Sequence, residues 1–222
     1  MTLNFEIDGE EYHEFNEEDP FLMEAIAEDL QLNFINGAFK VGKFTTHSEV
    51  AHNLSDEQLQ EFIDTIDDNI GDLYVKYRGN EWKDDKEDEM TEPGLVMVWF
   101  KDDAEELVGY LSFKLCVDDD GVFVLYLFEI HLVKEYQGKK YGRQIIDQFH
   151  DFAQLLMNSK NELYRTVQGT ALTVFSDNER AFKWYSNLGY KLTEGSPVDK
   201  KLRSGKVVKP EYYLMRRELQ CK

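Results

Sequence analysis

The sequence predicts an α/β fold in which helices flank a mixed β-sheet, preceded by an added helical segment. Three observations lead to this prediction. From residue 95 onward, apolar runs of strand length alternate with helical patterns. Residues 56–78 carry an apolar stripe at helical spacing. The part before residue 95 is strongly acidic, so we predict an acidic N-terminal helical segment (1–94) packed on a core (95–222).

The N-terminal segment contains two predicted helices. The first covers 21–32, after Asp19 and Pro20. The second begins after Ser55, a candidate N-cap with Gln58 three residues later as in a capping box. Its stripe consists of Leu59, Phe62, Ile63, Ile66, Ile70, Leu73, Tyr74 and Tyr77. Gly79 and Asn80 are expected to end it, and 81–93 reads as a charged connection.

The core is predicted to follow a β-β-β-α-β-α-β order, in which two strand candidates close the chain. Strands are expected at 95–100, 107–116, 122–132, 171–175, 190–192 and 212–215. Helices are expected at 141–157 and 178–187. The long run at 122–132 lacks clean alternation and so predicts a strand that is buried on both faces.

The charge is strongly negative and unevenly distributed. The 222 residues include 25 Lys and Arg against 44 Asp and Glu, a net charge of −19. Residues 1–70 hold 18 acidic and 2 basic residues, whereas 151–222 hold 8 acidic and 13 basic residues. Such a surface disfavours nucleic acid and favours a basic peptide or a polyamine as partner. The alternative is that the acidity serves only solubility.

Cysteine usage and hydropathy exclude several classes. Cys116 and Cys221 form neither a metal-binding spacing nor a disulfide framework, so we predict no metal and a reducing compartment. No apolar run approaches the ~20 residues of a membrane span. The N-terminus lacks the basic and apolar blocks of a signal peptide. We therefore expect a monomer of the cytoplasm and nucleus that does not bind membranes.

The most informative segment joins the end of the long strand to the next helix. It reads Gln137-Gly138-Lys139-Lys140-Tyr141-Gly142, followed by Arg143. The first turn of a helix presents unpaired N–H groups and a positive dipole end, which can hold a pyrophosphate. Glycine allows close approach to the backbone and the basic residues add charge. An ordinary strand-to-helix turn is the alternative, since such connections are common.

A second motif lies downstream. Asn178, Ala181 and Tyr185 lie in the predicted helix at 178–187, and Gly189 follows that helix. In order and spacing, the two motifs resemble the GNAT acetyltransferase superfamily, whose phosphate loop reads Gln/Arg-x-x-Gly-x-Gly/Ala and whose later helix reads Asn-x-x-Ala-x-x-x-Tyr. Lys140 replaces the middle glycine of that loop. The resemblance covers about 95–217 and implies a GNAT fold and acetyl-CoA as cofactor. The implied cofactor-binding residues are Ile130, His131, Leu132, Gln137, Gly138, Lys139, Lys140, Tyr141, Gly142, Arg143, Thr173, Asn178 and Tyr185.

A closer resemblance lies within the superfamily. The runs 81–91, 124–130, 172–175 and 212–217 are similar to the N-alpha-acetyltransferase D (NatD) family. That family acetylates the N-terminal serine of histone four and histone two-A, whose tails begin Ser-Gly-Arg-Gly. The resemblance thus implies a basic histone tail as substrate. The alternatives are a polyamine or other small-amine acetyltransferase and a non-catalytic acidic histone-binding module.

Glu129 is the candidate proton acceptor. Acetyl transfer needs a neutral amine, and a carboxylate at the end of a central strand can take the amine proton directly or through one water. The alternative is that Glu129 only pairs with a nearby base. Tyr185 matches the superfamily's thiolate-protonating tyrosine, and Tyr126 is a further catalytic candidate. For either tyrosine, core packing with a satisfied hydroxyl is an alternative.

The resemblance also implies a peptide site. Its candidate residues are Tyr74, Trp82, Asp118, Tyr126, Phe128 and Tyr212. Asp118 lies where the NatD family has an acidic residue that contacts the arginine of Ser-Gly-Arg-Gly. The alternative is that Asp118, Asp119 and Asp120 form a solvated turn before Gly121.

Overall fold

A seven-stranded mixed β-sheet organises the computed structural model, which describes residues 2–219. The strands, numbered along the chain, are β1 Thr2–Ile7, β2 Glu10–Glu14, β3 Thr45–Val50, β4 Val96–Lys101, β5 Leu107–Val117, β6 Phe123–Leu132, β7 Gly169–Phe175, β8 Lys191–Leu192, β9 Lys200–Lys201, β10 Val207–Val208 and β11 Tyr212–Glu218. The helices are α1 Pro20–Asn33, α2 Asp56–Arg78, α3 Trp82–Met90, α4 Tyr141–Met157 and α5 Glu179–Asn187. The predicted α/β class, with helices on a mixed sheet, is confirmed.

The central sheet has the order β3-β4-β5-β6-β7-β11-β8, and its pairs are antiparallel except for β6–β7, which is parallel. Alternation along β4 shows how the two faces are used. Val96, Val98 and Phe100 pack into a core shared with α1 and α4. Met97 and Trp99 pack on the opposite face, against the apolar stripe of α2. The sheet is therefore covered on both faces, as apolar strands require.

The predicted helices form where their boundary signals indicate. Ser55 caps α2 in a capping box with Gln58, and Gly79 ends it with a φ of 89°. Asn178 caps α5 through the N–H of Ala181. One feature of α2 was not predicted: Ile70 has non-helical backbone angles, so the helix is kinked there.

Three regions differ from the prediction. The first 50 residues, which are weakly patterned, form the β1–β2 hairpin and strand β3, which pairs with β4 at the edge of the main sheet. The predicted connection at 81–93 contains helix α3. A small β9–β10 hairpin lies between β8 and β11. Cys116 is a free thiol, whereas Cys221 lies outside the described residues.

Helix α3 escapes prediction because its sequence, WKDDKEDEM, has almost no apolar residues. Its buried face consists of Trp82, Lys86 and Met90, at positions i, i+4 and i+8. A lysine thus occupies the middle of the buried stripe. The spacing of two large apolar residues, eight apart with a lysine midway, is the signal that could have revealed the helix.

Candidate active site

The parallel pairing between β6 and β7 stops before either strand ends. Leu127 and Leu172 form the last pair, while β6 continues to Leu132 and β7 to Phe175. The ends of the two strands border a cleft of about 1140 Å³. Residues of α2, α3 and α5 and the first turn of α4 complete its walls. A cleft of this size can hold a large cofactor together with part of a second ligand.

A β-bulge sets which side chains of β6 face the helices α2 and α3. The register of β6 against β5 shifts by one residue between Leu127 and Glu129, so Phe128 has no partner on β5. Tyr126, Glu129 and His131 consequently pair with alternate residues of β5 and share one face of the sheet. Without the extra residue, Glu129 would point to the opposite face from Tyr126.

The turn after β6 leads directly into an uncapped helix. Gly138 and Lys140 both have left-handed backbone angles, with φ of 72° and 71°. Helix α4 begins at Tyr141, and no side chain caps it. Its first N–H groups thus have no helical partner and can bind an anion. A Cβ atom built on Gly142 comes no closer than 3.5 Å to another protein atom, so this side of the turn is open.

Most of the predicted cofactor residues line this part of the cleft. They are Ile130, His131, Leu132, Gln137, Gly138, Lys140, Gly142, Arg143, Thr173, Asn178 and Tyr185. Lys139 and Tyr141 do not line it: the Lys139 ammonium lies 5.4 Å from the centre of the Tyr136 ring, and Tyr141 packs edge-on against Phe44. Arg180, which sequence reasoning missed, lines the same cleft as Lys140 and Arg143 and adds a third positive charge to its walls.

A chain of hydrogen bonds connects the turn to the end of β6. The Gln137 side-chain amide donates to Asn69 Oδ1 at 2.8 Å and to the Leu132 carbonyl at 3.0 Å. Asn69 Nδ2 in turn donates to His131 Nδ1 at 3.2 Å. The His131 ring thus lies between Asn69 on α2 and Glu129 on β6. Asn69, on α2, was not predicted as a site residue.

Glu129 lies at the end of this chain, in a buried cluster of charges. Its Oε2 accepts from His131 Nε2 at 2.7 Å, and its Oε1 accepts from Lys86 Nζ at 2.8 Å and from the Tyr74 hydroxyl at 3.0 Å. Burial alone raises the pKa of Glu129. The Lys86 ammonium and the His131 N–H outweigh burial and hold the pKa well below its usual range.

Lys86 is the main site residue that sequence reasoning missed. Its ammonium also bonds Glu89 at 2.7 Å, and its side chain is 4% exposed. Burial tends to lower the pKa of Lys86, but the neighbouring carboxylates Glu129 and Glu89 raise it, so the lysine stays charged. Asp85 and Glu89 lie beside it on the cleft wall, which makes α3 an acidic wall around one buried cation.

The two catalytic tyrosine candidates occupy different places. The Tyr126 hydroxyl lies 2.6 Å from Thr173 Oγ1, which links β6 to β7 across their parallel pairing. Tyr185, on α5, is 8% exposed and lines the cleft near the turn. Burial raises the pKa of both phenols, so each keeps its proton at neutral pH and can donate it.

Aromatic rings form the other end of the cleft. Tyr74 and Trp82 stack with ring centres 4.4 Å apart, and Phe175 meets Tyr74 edge-on at 5.0 Å. The predicted peptide-site residues Phe128 and Tyr212 line the same cleft. The structure therefore brings together every predicted peptide-site residue except Asp118.

Asp118 lies away from the cleft walls. Its side chain is fully buried and accepts the backbone N–H groups of Asp120 and Val122. Its other oxygen is bound by Arg216. Asp118 thus lies in a turn, as in the alternative interpretation, but the turn is not solvated at this residue, and both carboxylate oxygens of Asp118 have partners within the chain. The expected contact fails because the chain supplies its own arginine from β11.

Neither a metal-binding cluster nor a membrane-spanning helix is present in residues 2–219. No group of three or more His, Cys, Asp or Glu side chains in that range could hold a metal ion. Within the same range, the helices are all too short or too polar to cross a membrane.

Comparison with known proteins identifies the family. The model of the acetyltransferase (GNAT) family matches residues 64–190. The N-alpha-acetyltransferase 40 of Saccharomyces cerevisiae is 32% identical over 162 residues, which cover 64% of this chain and 55% of that protein. The chain thus spans little more than half the length of this curated relative.

Solved structures share the fold. PH1933 from Pyrococcus horikoshii OT3 superposes with a TM-score of 0.54 at 18% identity, covering 80% of this chain and all of the other. The PaiA N-acetyltransferase from Thermoplasma acidophilum, in complex with coenzyme A, has a TM-score of 0.50 at 14% identity. It covers 79% of this chain and 99% of its own.

Proposed function

Since this chain belongs to the GNAT family of acetyl-CoA-dependent acetyltransferases, we propose that it acetylates the N-terminal α-amine of a protein. The observation that carries the proposal is the position of Glu129. Its ionised carboxylate lies between the uncapped turn and the aromatic end of the cleft. An ammonium group entering from the aromatic end meets a negative charge there. The resemblance to N-alpha-acetyltransferase 40 supports an α-amine over a lysine side chain.

The residues of the turn fit the cofactor. The open N–H groups of α4, the exposed face of Gly142 and the charges of Lys140, Arg143 and Arg180 would hold the pyrophosphate of acetyl-CoA. When bound, the cofactor supplies the acetyl group as a thioester. The remaining chemistry belongs to the chain's own side chains.

Those side chains handle two protons. In the overall transfer, the neutral amine nitrogen would bond to the acetyl carbon and lose one proton, the carbon–sulfur bond would break, and the sulfur would gain one proton. Tyr185 is the proton donor on the cofactor side, because its buried phenol stays protonated. Glu129 and Tyr126 orient the amine, which sheds its proton through water.

Glu129 is suited to orient the amine rather than to keep its proton. Model glutamate has a pKa near ~4.3 and an α-amine near ~7.7, so a full transfer costs about 4 to 5 kcal/mol before Lys86 makes it worse. A water bound to Glu129 can pass the proton on to solvent. Deprotonation of the α-amine costs little free energy at pH 7, because its pKa lies near ~7.7.

We propose a basic tail beginning Ser-Gly-Arg-Gly, as in histone four and histone two-A, as the substrate. Support comes from the acidic wall formed by Asp85 and Glu89 and from the net charge of −19. With Asp118 bound to Arg216, we assign the arginine of the tail to this acidic wall. A polyamine would be attracted by the same charges, so the acceptor test includes one.

The test uses labelled acetyl-CoA and three acceptors. These are a Ser-Gly-Arg-Gly peptide, the same peptide with a blocked N-terminus, and spermidine. Label in the first acceptor alone supports N-terminal acetylation. Equal labelling of the blocked peptide would show that a side chain is the acceptor, and preference for spermidine would identify a small-amine enzyme instead.

A further inference from the structure

Lys86 lies in the middle of the buried face of α3, at a position where helical spacing predicts an apolar residue. Trp82 and Met90, one helical repeat to either side, are 2% and 1% exposed, and Lys86 is 4% exposed. Burying an ammonium is costly unless it is paired and fully hydrogen-bonded. The partners of Lys86 therefore indicate why it is buried.

Those partners are two carboxylates and a ring. Lys86 Nζ donates to Glu129 Oε1 at 2.8 Å and to Glu89 Oε1 at 2.7 Å, and it lies 5.0 Å from the centre of the Tyr74 ring. One nitrogen thus bridges two carboxylates that would otherwise be close neighbours of like charge. Carboxylates in that situation share a proton, and one pKa of the pair rises strongly.

Among residues 2–219, Lys86 is the only cation that contacts both carboxylates. Of the two carboxylates, His131 on β6 contacts Glu129 alone, with Nε2 2.7 Å from Oε2. The other titratable groups facing Glu129 are phenols with raised pKa values, from α2, β5 and α5: Tyr74, Tyr110 and Tyr185. Arg78, at the cleft wall, is paired with Glu211.

Resting on the proposed function, we infer that Lys86 is a positioning residue for acetyl transfer. It holds Glu129 as a fixed, ionised acceptor beside the amine and prevents Glu129 and Glu89 from sharing a proton. Glu129 then keeps the same charge and direction throughout the pH range in which the α-amine becomes neutral.

The first experiment measures kcat/KM against pH for the Ser-Gly-Arg-Gly peptide and divides it by the fraction of peptide whose α-amine is neutral, so that the remaining acid limb reports the enzyme. In Lys86→Met, the acid limb should move up by at least about one pH unit, because Glu129 must first lose a shared proton. Lys86→Arg keeps the charge and should retain the limb of the wild type. The matched control is Lys83→Met, on the same helix, where the lysine pairs with Asp64 and Asp67 outside the cleft.

A double variant distinguishes this role from a merely structural one. Adding Glu89→Gln to Lys86→Met removes the carboxylate that competes for the proton, so the acid limb should move back toward that of the wild type. If Lys86 only supports the fold, Lys86→Met lowers kcat/KM equally at every pH and Glu89→Gln does not compensate. That result would overturn the inference.

A second experiment does not depend on catalysis. In protein labelled with ¹³C at the glutamate side-chain carboxyls, the Glu129 signal, assigned with Glu129→Gln, should show no titration near neutral pH in the wild type and should titrate at a higher pH in Lys86→Met than in the wild type. A wild-type Glu129 that titrates near neutral pH refutes the inference, even where Lys86→Met fails to fold. If none of the three acceptors is acetylated, the proposed function fails, while this titration still decides the role of Lys86.

Discussion

Replacing Lys140 by glycine and by alanine isolates the conformational cost of the turn before α4. Lys140 is exposed and has a φ of 71°, so both variants remove the same charge and differ only in backbone preference. The left-handed conformation costs a residue with a Cβ atom about 1 to 2 kcal/mol. Glycine loses more backbone entropy on folding, about 0.4 to 1 kcal/mol. Lys140→Gly should thus be more stable than Lys140→Ala by about 0.5 to 1 kcal/mol.

Thermal denaturation without cofactor measures this difference. For a chain of this size it corresponds to a gap of about 1 to 4 °C in Tm. Both variants should bind CoA equally and up to about fivefold more weakly than the wild type, because one exposed charge near the phosphates is lost. If Lys140→Ala is as stable as Lys140→Gly, the turn does not carry the strain that its backbone angles indicate.

Three further outcomes are expected. A hundredfold excess of CoA over its Kd should stabilise the wild type by ~2.7 kcal/mol, and Gly142→Glu, which directs bulk and negative charge into the open turn, should abolish this shift in Tm. Glu129→Gln should lower kcat by about 10² to 10⁴. The pKa of Glu129 is depressed in the folded protein, so its carboxylate stabilises the fold fully above pH ~4.3 and progressively less as the pH falls. The unfolding free energy of Glu129→Gln should therefore depend less on pH in the acid range than that of the wild type. Asp118→Asn should lower the unfolding free energy by about 1 to 3 kcal/mol, because it removes the buried one of the two carboxylates that bind Arg216 and leaves Asp120 at 3.2 Å, while the preference for Ser-Gly-Arg-Gly over Ser-Gly-Ala-Gly, measured as a ratio of kcat/KM, stays unchanged.

The elements that the sequence predicts well are those whose signals are local. The capping box at Ser55 and the cap at Asn178 depend on residues three positions apart. The apolar faces of α2 and α4 repeat at helical spacing. The turn at 137–142 was found for the same reason, since its glycines and basic residues are contiguous.

What escaped prediction depends on partners distant in sequence. Lys86 belongs to the site only because Glu129, 43 residues later, takes up its charge. Asn69 became part of the site through His131 and the turn, neither of which lies near it in sequence. Asp118 was misplaced for the opposite reason: Arg216, 98 residues away, had already occupied it. The sequence alone does not show which cation a given carboxylate will pair with in the folded chain.

The side chain of Asn69 contacts both proposed ligand sites. Its oxygen holds Gln137 of the cofactor turn, and its nitrogen holds the ring that donates to Glu129. A shift of the turn on binding of the proposed cofactor would therefore act on the proposed amine subsite through one amide. Linkage requires such communication to be reciprocal: the factor by which cofactor tightens peptide binding equals the factor by which peptide tightens cofactor binding. Asn69→Ala removes this amide, and with it the direct contact through which the binding of one ligand can change the affinity for the other.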